Sequence, residues 1–407
     1  MSFILKLRRV FRSPIFIMSL LPAFGQVIYF LILPLLSRNA SPEAFGQLGL
    51  FISFTAPISI FLTLKYEQAI PIIKSSKYSD LLAAHLTYLA LTICLLISAF
   101  FLLYALFFKL ESFYFLFMCV LGSFGLAFFQ IKLQVSVRCK KYKQISIAKF
   151  IQPIFRGGGA LILILYLFES EYHLLHGYLI ALVISSLFLG RLRFSFDRLK
   201  FFSLCRRYVQ FPKYGAPSAL VDALVNYLPI ILIGYAFGKS EAGLYTMVSM
   251  IGAGPIGIIT NSISALFIAE CSEKVRENKG VTSIFDSYLK KQLKLSIPLI
   301  LCFAVLAFFA KEILGDDWEG ISDILYIMMF MYALQFIASP LTRVLIVIEQ
   351  QKIQFYFTLS KLVLLMLASA IGFNDFFVFI SALSFLMGGW YITYILIARY
   401  LARVYSK

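Results

Sequence analysis

Apolar runs of membrane-spanning length recur along the whole chain, separated by short polar links. Twelve lie near residues 14–36, 45–63, 81–107, 113–136, 147–168, 172–190, 211–236, 243–268, 292–310, 322–346, 354–372 and 376–398. An α-helix needs roughly 20 largely apolar residues to cross a bilayer, and these runs are near that length. Leu161–Phe168 and Ile297–Phe309 are apolar on all sides, unlike the alternating strands of a β-barrel. The pattern predicts an all-α integral membrane protein with twelve transmembrane helices. The links sort charge as well. With the N-terminus in the cytoplasm, the outer links hold only Arg38, Lys109, Lys239 and Lys311 of the 37 Lys and Arg, and about half of the 20 acidic residues. Lys132, Lys149 and Arg156 fall inside apolar runs, and the other basic residues are assigned to the inner side. Chains inserted under the positive-inside rule show this alternation, so both termini are expected in the cytoplasm of a multi-pass protein.

Composition narrows the class further. Apolar residues make up 61% of the chain, charged residues 14%, and mean hydropathy is +0.88, outside the soluble range. Twelve spans leave no room for a large soluble domain. The net charge of +17 sits beside the spans, where it orients the chain and attracts anionic lipid headgroups; it is no sign of nucleic-acid binding. The six Cys lack metal-ligand spacing and read as small apolar side chains. Lys6, Arg8, Arg9 and Arg12 resemble the charged region of a signal peptide, but the run that follows is long and lacks a small-residue cleavage site. An uncleaved first span is expected.

Two local similarities divide the chain. Ser41-Pro-Glu-Ala-Phe-Gly-Gln-Leu-Gly-Leu50 opens span two, and Lys239-Ser-Glu-Ala-Gly-Leu-Tyr-Thr-Met-Val248 opens span eight. Lys141-Tyr-Lys-Gln-Ile-Ser-Ile-Ala-Lys149 links spans four and five, and the segment from Gln351 to Lys361 links spans ten and eleven. Matches in the same ordinal places predict a six-plus-six duplication: an N-terminal lobe over residues 1–190, a basic cytoplasmic link over 191–213, and a C-terminal lobe over 214–407. Six spans per half bring both lobes in from the same side, as parallel bundles with a cavity between them.

No enzymatic constellation stands out, and no metal or cofactor is expected. His173 and His176 share one helix face at an outer link, as surface residues or as a cation or pH site. Gly157-Gly-Gly159 reads as a seam for close helix packing, and Gly252-Ala-Gly254-Pro-Ile-Gly257 as a bend or packing seam. Ionisable groups within the spans are more informative, because one at a helix centre costs about 2.5–3.5 kcal/mol on the insertion scale. Lys132, with Gln130 and Gln134, lies in span four. Lys149 and Arg156, two turns apart, lie in span five with Gln152 between them. These three are the candidates for substrate binding; Lys149 is equally suited to snorkelling at the interface. Asp222, with Asn226 one turn later, lies between Pro217 and Pro229. It serves in coupling, gating or substrate contact, or pairs with a buried base. Glu67 pairs with Lys65 or lines an inner mouth. Arg343, Gln335 and Gln350 are possible partners in the second half, and Gln26 and Tyr29 add polarity to span one. A cavity richer in positive than negative charge suits an anionic headgroup.

The chain resembles the polysaccharide transport family, the bacterial O-antigen and repeat-unit flippases grouped with multidrug exporters in one superfamily. The likeness rests on Pro42-Glu-Ala-Phe-Gly-Gln-Leu-Gly-Leu50, Leu64-Lys-Tyr-Glu-Gln-Ala-Ile70 and Glu241-Ala-Gly-Leu-Tyr245, together with twelve spans and a basic central link. It implies a V-shaped pair of six-helix lobes. It also implies transfer of an undecaprenyl-pyrophosphate-linked oligosaccharide, such as a lipopolysaccharide O-antigen unit, across the bacterial inner membrane by alternating access. Proton or sodium coupling is plausible in some members. On this reading Lys132, Lys149 and Arg156 contact pyrophosphate or acidic sugar, and Glu67, Asp222 and Asn226 couple or gate. Bilayer lipids, glycosyltransferases and a polymerase are the implied partners. A cation-coupled multidrug or small-molecule exporter is the alternative, which would favour an acidic, aromatic cavity. A membrane glycosyltransferase or polymerase would present a longer loop than Lys311–Asp323.

Overall fold

The computed structural model describes residues 14–108, 113–166, 171–193, 196–277 and 279–405. Lys6, Arg8, Arg9, Arg12, Lys109 and Lys407, which served as topology signals, lie outside them. Each apolar run forms a helix: α1 (Pro14–Ser37), α2 (Pro42–Thr63), α3 (Ser76–Phe108), α4 (Phe113–Arg138), α5 (Tyr142–Tyr166) and α6 (His173–Leu187). The link helix α7 (Arg198–Arg207) follows. Then come α8 (Ala216–Ala236), α9 (Lys239–Arg276), α10 (Thr282–Phe308), the short α11 (Ala310–Leu314), α12 (Ile321–Leu341), the short α13 (Val344–Val347), α14 (Gln351–Gly372) and α15 (Phe376–Tyr405). Among the described residues, eleven helices are long and apolar enough to cross a membrane. The protein is an all-α, multi-pass membrane protein. The twelfth apolar helix, α6, is shorter than its run. At 15 residues it rises about 22 Å, because Ser185–Ser186 and Gly190 end it while α4 holds its C-terminus.

The chain divides into two compact units, Met1–Ala40 with Gln47–Tyr227, and Ser41–Gly46 with Leu228–Lys407. The division falls inside α8. In the first unit, α1, α5 and α6 meet along glycine seams. A Cβ on Gly25 would overlap the Phe150 carbonyl, and one on Gly157 would come within 2.8 Å of the Tyr29 ring. A Cβ on Gly177 would approach Ala160 at 2.7 Å and the Arg156 carbonyl at 2.8 Å. Helix backbones therefore approach closely, the means by which membrane helices associate where burial of apolar surface supplies no drive.

Between α2 and α3 the chain leaves the helical path. Leu64 (φ 47°) and Lys65 (φ 61°) are left-handed, and a 3₁₀ turn covers Tyr66–Ala69. The Arg138 guanidinium, at the end of α4, donates to the carbonyls of Ile70, Ile73 and Lys74. Helix α7 docks nearby. Asp197 caps it by accepting from the Lys200 amide at 3.1 Å, and hydrogen bonding to Lys200 holds the Asp197 carboxyl below its usual range. Phe201 stacks on His85 at 4.7 Å, and the Tyr66 hydroxyl donates to the Cys205 carbonyl. The other face exposes Leu199 and Phe202 beside Arg198, Arg206 and Arg207, the make-up of a helix lying in a membrane interface.

The two sequence similarities occupy matched geometry. Before α5, Lys140 (φ 53°) is left-handed; before α14, Glu349 (φ 58°) is. At the first site the Lys140 and Lys141 amides donate to Val137 and Ser136; at the second the Glu349 and Gln350 amides donate to Ile346 and Leu345. Both are Schellman caps with the same offsets, although the residues differ. The other pair meets within the second unit. A Cβ on Gly46 would overlap the Lys239 carbonyl, and one on Gly243 the Pro42 carbonyl. Phe45 packs edge-on against Trp318 at 5.1 Å, both fully buried. Gly243→Ala is therefore expected to lower stability by about 1–3 kcal/mol through overpacking, read as a fall in the unfolding temperature of the detergent-solubilised protein. Gly257→Ala, in open space, serves as the neutral control.

Candidate functional site

In the first unit the glycine seams position one cation. Arg156 lies near the middle of α5, and its guanidinium carbon sits 4.0 Å from the centre of the Tyr29 ring. The Gly157 and Gly25 contacts set that pairing by fixing how closely α1 lies against α5. Arg156 Nε is buried without a hydrogen-bond partner, and among the described residues no carboxylate pairs with this side chain. Tyr178 is within electrostatic reach of both Arg156 and Tyr227, and Phe51 meets Tyr178 edge-on at 5.5 Å. The group is thus a half-buried guanidinium among phenol rings. Its charge is steadied by cation–π attraction, worth about 0.5–2 kcal/mol, with no opposite charge beside it.

The other sequence candidates occupy different surroundings. The Lys132 ammonium donates to the Ser186 carbonyl at the C-terminal end of α6, with the Phe128 ring 5.5 Å away. A cation there meets the negative end of the helix dipole. One turn on, Ser136 Oγ accepts from the Gly190 amide at 2.8 Å. Lys132 and Ser136 therefore hold α6 at its end. Lys149 is exposed, two turns from Arg156. Glu67 is buried in the 3₁₀ turn, 3.6 Å from Lys65 Nζ, and its Oε2 has no hydrogen-bond partner. Asp222 and Asn226 are exposed on α8, where Asn226 Nδ2 donates to the Asp222 carbonyl at 2.8 Å. His173 is buried, and His176 sits 2.5 Å from the Tyr114 hydroxyl, so these imidazoles are built into the end of the first unit.

The second unit contains a cation from a segment expected to be a cytoplasmic link. Lys361 lies half-way along α14, because the helix starts at Gln351. Its ammonium is 4.4 Å from the Trp390 ring and 4.8 Å from the Tyr391 ring, and it donates to the Tyr391 hydroxyl at 3.3 Å. Length carries the signal that finds it: Leu362–Gly372 alone is too short to cross a bilayer, so the helix must begin upstream of Lys361. Arg343 is exposed where α12 gives way to α13, within electrostatic reach of Tyr394.

A family model described as "Polysaccharide biosynthesis protein" matches residues 35–323. The capsular polysaccharide biosynthesis protein CapF of Staphylococcus aureus is 25% identical over 334 residues, 74% of this chain and 76% of that protein. The teichuronic acid biosynthesis protein TuaB of Bacillus subtilis (strain 168) is 23% identical over 198 residues, 46% of this chain and only 41% of the relative's length. Among solved structures, the lipid II flippase MurJ in an inward closed conformation aligns with a TM-score of 0.72 at 15% identity, covering 93% of this chain and 86% of that one. An inward-facing multidrug resistance MATE family transporter aligns with a TM-score of 0.70 at 16% identity, over 93% and 95%. At these identities the structural matches establish a shared fold.

Proposed function

Because the chain belongs to the family of polysaccharide biosynthesis proteins and shares the fold of the MurJ and MATE structures, we propose that it is a membrane transporter rather than an enzyme, and that it moves a lipid-linked oligosaccharide from the cytoplasmic to the outer leaflet of a bacterial inner membrane. The cargo on this reading is a surface-polysaccharide repeat unit on polyprenyl pyrophosphate; a lipopolysaccharide O-antigen unit is one form. Both termini face the cytoplasm, where glycosyltransferases supply the cargo, and a polymerase takes it on the other side. The observation that carries the reading is Arg156, a mid-span guanidinium with no carboxylate against it among the described residues. An interior cation is costly in a membrane and marks a path for something negatively charged, and a guanidinium offers paired donors to a phosphate. Among the sequence candidates Arg156 is the main anion contact, and exposed Lys149 lies two turns along the same helix. Lys132 acts by keeping α6 in place. No covalent step is needed, since translocation requires only that the polar head be sheltered while the polyprenyl tail stays in lipid.

If an ion gradient drives the cycle, Glu67 and Asp222, with Asn226 beside it, are the proposed coupling groups. The deciding experiment is reconstitution into liposomes with a fluorescent polyprenyl-pyrophosphate oligosaccharide, following its appearance in the opposite leaflet with and without a pH gradient. Protein-dependent movement of the glycan is expected, and Glu67→Gln should reduce any stimulation by the gradient. Movement of organic cations without the glycan would replace this reading with the exporter.

A further inference from the structure

Arg156 has a counterpart in the other unit. Arg156 and Lys361 both lie near the middle of a helix, α5 and α14, and those helices follow the two matched Schellman caps. Each places its charge over an aromatic ring: Arg156 over Tyr29, and Lys361 over Trp390 and Tyr391. No carboxylate pairs with Lys361 among the described residues. An ammonium at this depth is costly, and cation–π attraction to indole, the strongest of the aromatic faces, holds it without neutralising it. The surroundings are built. Trp390 Nε1 donates to Ser360 Oγ at 2.9 Å, Phe357 stacks on Tyr394 at 4.4 Å and meets Trp390 edge-on at 5.7 Å, and Trp390 and Tyr391 are both buried. The rings are thus fixed in place, while the lysine stem has four rotatable bonds.

We propose that Lys361, Trp390 and Tyr391 form an oxyanion site in which the ammonium is parked on the indole until an anion draws it away. This rests on the flippase reading and deepens it: the ligand is an oxyanion of the cargo's head, either a sugar carboxylate or the pyrophosphate. Binding forms an ion pair between Nζ and the oxyanion, frees the Tyr391 hydroxyl oxygen to accept from a cargo hydroxyl, and exposes the indole face to a sugar ring. Chemically the site is a charge beside a flat apolar platform, which suits a ring that is polar at its edge and C–H-lined on its face.

Indole emission reports the step directly, because Trp390 loses its cation when the site fills. The full-length protein in nanodiscs would be titrated with trigalacturonate, inorganic pyrophosphate and maltotriose. A saturable change in emission with trigalacturonate or pyrophosphate, and none with maltotriose, is expected. The anion that acts identifies the source as glycan or phosphate. The change should vanish in Trp390→Phe, which leaves Trp318 as background, and in Lys361→Met, an apolar replacement of similar length that removes a charge from the membrane. In the transport assay Lys361→Met should slow the natural cargo by about tenfold, the loss of one modest contact. An equal response to maltotriose, no response to either anion, or an undiminished response in Lys361→Met overturns the proposal. If the wild-type protein moves no lipid-linked glycan yet Trp390 still responds to anions through Lys361, the flippase reading fails while the site stands.

Discussion

Arg156→Ala is expected to reduce glycan-lipid translocation by about two orders of magnitude or more while leaving insertion and stability near wild type. The two effects separate for a physical reason. Truncating one partner of a desolvated, hydrogen-bonded charge pair costs about 2–5 kcal/mol, and that loss falls on the state in which the cargo's phosphate occupies the site. The empty protein loses the contact with Tyr29, about 0.5–2 kcal/mol, and the longer-range interaction with Tyr178, and is relieved of a charge whose insertion costs about 2.5–3.5 kcal/mol. Arg156→Lys keeps the charge but not the planar fork, so it should retain partial transport. Tyr29→Leu removes the ring that holds the guanidinium in place and should raise the cargo concentration needed for half-maximal rate more than it lowers the maximal rate. Initial rates in liposomes, normalised to reconstituted protein, together with unfolding temperature, decide this. Wild-type transport by Arg156→Ala would remove Arg156 from the path.

The spans were legible in the sequence because membrane insertion imposes a signal on every residue of a run, and only α6 came out short. Its end depends on Lys132 and Ser136 reaching Ser186 and Gly190 across more than fifty positions, which no local pattern encodes. The cations were legible by type but not by role. Lys132, Lys149 and Arg156 all appear as charges in apolar runs, yet one holds a helix end, one is exposed, and one lies over Tyr29 with no counter-charge among the described residues. Lys361 ends the segment expected to link spans ten and eleven, although the apolar run 354–372 encloses it. The segment that links and the helix that spans overlap there, and only the left-handed Glu349 fixes where the helix begins. The three motifs behind the family resemblance read as identity marks without a mechanism. In the structure, Glu43–Gly46 and Glu241–Gly243 form a glycine crossing, and Leu64–Ile70 is the strained turn that buries Glu67. Their chemistry is the geometry of close backbone approach.

That turn makes the second large prediction. Arg138→Ala should destabilise the protein by about 3–5 kcal/mol, since each hydrogen bond to a charged group is worth about 1.5–3 kcal/mol and three carbonyls share one guanidinium. Those carbonyls, on Ile70, Ile73 and Lys74, belong to a stretch with no helical ladder of its own. Ile70 and Ile73 are buried in a cluster with Leu81, Leu82 and Ile131. Losing Arg138 frees the stretch that carries Ile70 and Ile73, and with it the 3₁₀ turn that seats Glu67 beside Lys65. Arg138→Lys offers a point charge on a flexible stem, which cannot span three acceptors as the fork does, so it should recover less than half of the loss. The damage should also be local before it is global. Amide hydrogen exchange ought to rise first over residues 64–75 and at the docked α7, whose Cys205 carbonyl accepts from Tyr66, while α12 and α15 stay protected. Uniform protection across 64–75 in Arg138→Ala would mean that helix packing alone shapes the turn, and the arginine would then be a surface charge that happens to lie over it.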